Sequence, residues 1–114
     1  MSGSERSIAR QGVVVLIDGA SLFNSAATLS FEVDYIKLLD VLIQNRRLIQ
    51  ALFYTGMSSG NHRQRAFLHW MQAHRYRVVS KELTIAPDGS KRADLSVELA
   101  IDMVLFSSQC DVIV

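Results

Sequence analysis

Val13-Val14-Val15-Leu16-Ile17-Asp18-Gly19 decides how this chain is read. Five apolar residues, four of them β-branched, run without alternation into a carboxylate and a glycine. The run is too short for an independent helix and lacks the two-residue period of a half-exposed strand. It therefore predicts a strand buried on both faces. Such strands belong to parallel sheets covered by helices, where ligands bind in the crevice outside the strand carboxyl ends. Asp18 is delivered to that crevice. An Asp that only opens a turn would explain the same residue, but Asn or Ser would serve there without the charge.

Working outward, Ala20 to Leu29 predicts a short helix with Ser21, Asn24 and Ser25 near its start. Phe31-Glu32-Val33 reads as a connector. Asp34 is placed to cap a helix reaching about Arg46, with Ile36, Leu39, Leu42 and Ile43 as its apolar stripe and Arg46 and Arg47 at its negative pole. Leu48 to Tyr54 predicts a second strand, and Thr55-Gly56-Met57-Ser58-Ser59-Gly60 a loop. Asn61 suits the cap of a third helix, which presents Ala66, Phe67, Trp70, Met71 and His74 as a core stripe. Tyr76 to Leu83 predicts a third strand, Ala86-Pro87-Asp88-Gly89 a turn, Leu95 to Phe106 a fourth helix, and Asp111 to Val114 a fourth strand. Strands alternating with helices predict a three-layer α/β/α sandwich around a mainly parallel sheet.

The 114 residues are 49% hydrophobic with a single Pro, which describes one packed domain and excludes a disordered chain. Residues 12–114 form that domain, and the polar segment 1–11 is expected to be flexible. The chain stops in mid-strand on Val-Ile-Val, so the expectation is a domain whose C-terminal part lies beyond Val114. One cysteine, Cys110, allows no internal disulfide and reads as a small buried hydrophobe of a cytoplasmic protein. No apolar stretch reaches the ~20 residues that span a bilayer, and the N-terminus is not a signal peptide. The net charge of +1 hides an asymmetry. Residues 61–92 hold seven Lys/Arg against two acids, whereas the remainder is net acidic. An acidic metal site beside a basic polyanion surface fits that division, and so does an ordinary solvated helix face.

Acids gather again at Asp94, Glu98 and Asp102, four residues apart. On a helix they share one broad face, but Asp94 and Asp102 would sit ~12 Å apart, too far to share one ion. Asp94 joins a site only from the turn before the helix. Carboxylates gathered with Asp18 would repel one another unless a cation neutralised them, and oxygen-only ligation favours Mg²⁺ or Mn²⁺. Such an ion activates water and stabilises charge on a phosphodiester. Lys91 and Arg92 just ahead suit substrate phosphates, as do Arg63 and Arg65. Zinc is disfavoured: His62, His69 and His74 lack the ligand spacing. No glycine-rich phosphate loop and no nucleophile elbow is present.

Val-Leu-Ile-Asp18-Gly19-Ala-Ser-Leu22-Phe23, Phe53-Tyr54-Thr55-Gly56, Tyr76-Arg77-Val78-Val79-Ser-Lys81-Glu82-Leu83, Asp88-Gly89-Ser90-Lys91 and Val97-Glu98-Leu99-Ala100-Ile101-Asp102-Met103 together resemble the NYN domain. The resemblance is greatest to its LabA-like branch, within the PIN-like nuclease superfamily, and covers nearly the whole chain from Val13. It implies a PIN-like fold and a Mg²⁺- or Mn²⁺-dependent endoribonuclease, with Asp18 and Asp102 in the metal site. Asp94, two residues before the position where the family carries an Asp, is the expected substitute as a further catalytic and metal-holding acid. The expected partner is RNA, single-stranded or structured, with no membrane; a homo-oligomer stays open. The chain departs from the family pattern in having Ser21 where Asn is usual and Ser96 where Asp is usual. The Ser-Gly-Asp-x-Asp-Phe motif lies outside the sequence. These departures keep a second reading in play, a catalytically weak RNA- or protein-binding regulatory domain on the same scaffold.

Overall fold

A computed structural model describes residues 11–29, 32–58 and 60–114; the side chains at 24, 25, 27, 28, 91 and 92 lie outside that description. The segment 1–10 and Phe31 of the expected connector lie outside it too. In chain order the elements are β1 (Gly12–Asp18), α1 (Gly19–Thr28), α2 (Tyr35–Ile43), β2 (Arg47–Met57), α3 (His62–Ala73), β3 (Tyr76–Glu82), β4 (Thr84–Ile85), β5 (Lys91–Arg92), α4 (Ser96–Ser107) and β6 (Val112–Ile113). Four strands form one parallel sheet in the order β3-β2-β1-β6. The α/β sandwich predicted from the alternation is the observed architecture.

Burial follows the pleat. Val13, Val15 and Ile17 enter one core with Ala51, Phe53, Leu39, Leu68 and Met71, beneath α1, α2 and α3. Val14 enters the opposite core with Leu52 and Tyr54, against Leu95, Leu99 and Phe106 of the α4 segment. Both faces of β1 are thus covered, as its unbroken apolar run requires. The first core is aromatic: Tyr35, Phe53, Phe67 and Tyr76 meet mostly edge to face, and Tyr76 donates its hydroxyl to the Tyr35 carbonyl at 2.7 Å. The second layer is thinner, because α4 buries no residue fully and exposes Val97, Ile101, Val104 and Leu105.

Local chemistry sets the element ends. Asp34 and Asn61 cap α2 and α3 as expected, accepting from the amides of Lys37 and Gln64. Arg46 donates to the carbonyls of Leu42 and Ile43, closing the end of α2, while Arg47 has already entered β2. Gln44 turns the chain there with φ 58. Two apolar stripes differ from expectation. Helix α2 is anchored by Tyr35, Leu39 and Ile43, leaving Ile36 exposed, because its first turn faces the aromatic core through Tyr35. Helix α3 is anchored by Leu68 and Met71, leaving Ala66 and Trp70 exposed. Strand β2 runs on to Met57, since β3 pairs with it from Ala51 to Met57. The turn at Asp88 carries Gly89 at φ 87 and is closed by a two-residue hairpin, β4 with β5, which sequence pattern did not predict.

Gly19 marks a tight junction, where β1 gives way to α1. A Cβ there would lie 2.7 Å from the Tyr54 carbonyl oxygen and 2.7 Å from the Phe53 ring. Neither neighbour is a free chain end. Gly19→Ala is expected to lower stability by about 1–3 kcal/mol through overpacking, read as a fall in the urea midpoint with an unchanged m-value.

Candidate active site

The strand order brings β1 and β2 together in parallel, with Asp18 opposite Tyr54 at their carboxyl ends. A cavity of about 260 Å³ opens there, lined by Asp18, Tyr54, Thr55, Gly56, Ala93, Asp94, Leu95, Ser96 and Leu99, with Ala20 at its edge. Asp18 and Asp94 are therefore brought to one site from stretches 76 residues apart in sequence. Asp94 stands in the connector before α4, the placement that lets it reach the crevice.

Each carboxylate is held by a local hydrogen bond. Ser21 donates its amide to one Asp18 oxygen at 3.2 Å and its hydroxyl to the other at 3.0 Å. Asp94 accepts the Ser96 amide at 2.9 Å, and that bond, helped by the Ser96 hydroxyl, holds its carboxyl below the ordinary range. Lys81 steadies the same connector from β3. Its ammonium lies 3.3 Å from the Asp94 carbonyl and 3.6 Å from Glu98 Oε1. Gly56 gives the connector room, since a Cβ there would press on Ala93 at 2.9 Å.

Asp102 stands apart from this cavity. Its carboxylate accepts the Tyr54 hydroxyl at 2.7 Å and lines a second hollow of about 320 Å³ with Glu98, Arg77, Leu52, Val79, Ile101 and Phe106. Helical spacing shows that Glu98 and Asp102 share a face, and the structure aims that face at the middle of β2 and β3. Among the described residues, no three His, Cys, Asp or Glu side chains converge as a metal-binding group. Arg63 and Arg65 are exposed on α3, while the Lys91 and Arg92 side chains lie outside the described set. Asp111 closes β1 instead of joining a site, accepting the Gly12 amide at 2.7 Å. Cys110 is half-buried against the second core. Tyr54 was the residue sequence reasoning missed; its register opposite Asp18 becomes visible only once β1 and β2 are paired.

A family model for the NYN domain matches residues 12–114. The chain belongs to the NYN domain family. That family lies within the PIN-like nuclease superfamily, which suggests ribonuclease activity and agrees with the parallel sheet. No curated protein matches the chain. Among solved structures, a Vibrio parahaemolyticus protein of unknown function is similar, with a TM-score of 0.77 at 21% identity. The match covers 92% of this chain and 65% of that one, so this NYN domain spans under two thirds of its neighbour's length. The likeness supports the fold. No helix among the described residues is long and apolar enough to cross a membrane.

The three tyrosines of the NYN cores make a pH test. Burial raises Tyr54, with Asp102 adding to the shift; burial raises Tyr76 to about 12 and also raises Tyr35. A raised phenol favours the neutral form in the fold, so its contribution is intact below the unfolded value near 10.0 and is lost as pH climbs through the folded values. Helix and sheet signals are expected to collapse above about pH 10 together with the rise of tyrosinate absorbance. Tyr54→Phe is expected to remove part of that alkaline slope and to cost about 1–3 kcal/mol near neutrality, since Asp102 loses its donor.

Proposed function

We propose that this NYN domain is a divalent-metal-dependent endoribonuclease whose cleft is built on Asp18 and Asp94. The observation that carries the reading is the shared cavity at the ends of β1 and β2, where both carboxylates are exposed to an incoming phosphate. The donor set there is all oxygen: two carboxylates, with the Thr55 and Ser96 hydroxyls beside them. Mg²⁺ or Mn²⁺ suits such a set, since these ions take one or two carboxylates and complete their shell with water and substrate phosphate. Bound there, the ion would supply an activated water and charge stabilisation for phosphodiester hydrolysis. Asp18 and Asp94 would hold it, and Ser21 and Ser96 would fix their orientation. Asp102 serves at one remove, holding the Tyr54 hydroxyl beneath the cleft. Arg63 and Arg65, with Lys91 and Arg92, gather the RNA backbone. The motif order supports a reading of the domain as LabA-like, and the lone cysteine fits a cytoplasmic home.

One observation favours the regulatory reading on the same scaffold. Both oxygens of Asp18 already accept hydrogen bonds from Ser21, where the family pattern has Asn. Under that reading the cleft binds RNA without cutting it.

Cleavage of an unstructured RNA in Mn²⁺ separates the two. The wild-type chain is expected to cut, while Asp18→Asn and Asp94→Asn each lose about a hundredfold or more in rate, exceeding the usual cost of altering an outer-shell partner. Asp88→Asn, in the distant turn, should cut normally. Equal residual rates in all four proteins, with salt-sensitive RNA binding retained, would replace the nuclease by the binding module.

A further inference from the structure

We infer that the exposed aromatic face shared by α1 and α3, called the groove below, stacks the unpaired bases of single-stranded RNA on Phe23 and Trp70, with Phe67 packed between them and Arg63 on the same stripe of α3. This deepens the proposed RNA reading and rests on it.

The argument begins with spacing. Arg63, Phe67, Trp70 and His74 follow one another at three- and four-residue steps, so they form a single stripe along α3 and its cap. Their rings lie nearly parallel: Phe67 and Trp70 at 15° with centroids 6.3 Å apart, Trp70 and His74 at 22° and 4.2 Å. Phe23 reaches across from α1, its ring 6.1 Å from Phe67. The core accounts for Phe67 and for the inner edge of Phe23, but not for the outer part of this stripe. Leu68 and Met71 anchor α3 to the sheet, yet Trp70 is 37% exposed and Phe23 41% exposed.

Position and charge point to the occupant. Helix α1 follows β1 and α3 follows β2, and these strands are parallel neighbours, so both helices start at the edge of the crevice. Phe23 and Phe67 sit roughly one to one and a half turns below that edge, ~6–8 Å along their helices. Neither helix carries an Asp or Glu, while α3 carries Arg63 and Arg65. A polyanion leaving the cleft would meet aromatic rings and cations with no carboxylate in either helix. Bases stack on such rings only when unpaired, so the fitting strand is single.

Trp70 is the only tryptophan in the chain, so its emission reports this groove alone. The full chain is titrated in EDTA, which keeps the RNA intact, with an adenosine-rich decamer. A saturable quench of Trp70 is expected, with no quench from a base-free sulfated polysaccharide of matched charge. Phe23→Leu keeps the reporter and should raise Kd about tenfold, with an unchanged circular dichroism spectrum. Arg63→Gln should lower the slope of log affinity on log salt by about 0.7. RNA binding that leaves Trp70 and the Phe23 variant unmoved overturns the groove while the nuclease reading stands. A quench that the polysaccharide reproduces, or an emission change with protein concentration alone, overturns it as well; the latter gives the face to a second copy. Quenching without Mn²⁺-dependent cleavage keeps the groove and removes the nuclease.

Discussion

Parallel pairing of β1 with β2 is the constraint on which the rest of the molecule depends. It sets Ile17 beside Phe53 and Asp18 beside Tyr54, so one step along the strands passes from the deepest packing to the open crevice. The apolar run up to Ile17 supplies the burial that holds the pair together, and the carboxylate at its end is exposed because covering ends there. Gly19 lets α1 leave at once, against the Tyr54 carbonyl. A bulkier residue would push the helix away and widen the cleft.

The two sides of that pair have unequal tasks. On the α1–α3 side, interlocking rings centred on Phe53 make a deep core. On the α4 side, packing is shallower and polar groups share the work. Tyr54 holds Asp102, and Lys81 holds both Glu98 and the carbonyl of Asp94. Exposed ion pairs such as Lys81–Glu98 add little stability, so their value here is geometric: they fix where the connector before α4 begins.

How much was legible in sequence follows the same division. The β1 run, the caps at Asp34 and Asn61, and the alternation of elements rest on local chemistry, and each matches the fold. The exit of Asp18 at the end of β1 was equally readable. Asp102 was not. Periodicity tells which face of α4 it shares with Glu98, but the partner across the gap depends on the register of β2, which no local pattern encodes. The β4–β5 hairpin escaped because two-residue strands leave no period to detect. The stripe of α3 was misweighted for a related reason: Phe67, Trp70 and Met71 look equally apolar, and only the angle of α3 against the sheet decides that Met71 goes inside and Trp70 stays at the edge.

The shallow seating of α4 has a consequence for how the molecule breathes. A helix without one fully buried residue detaches more readily than the aromatic layer opposite, so sub-global opening is concentrated there. Such an excursion would carry away Ser96, the connector holding Asp94 and the Asp102 anchor, while leaving Asp18 on its strand. The cleft would therefore come apart into halves long before the sheet melts, and amide exchange along 94–107 would report its integrity more sensitively than global denaturation.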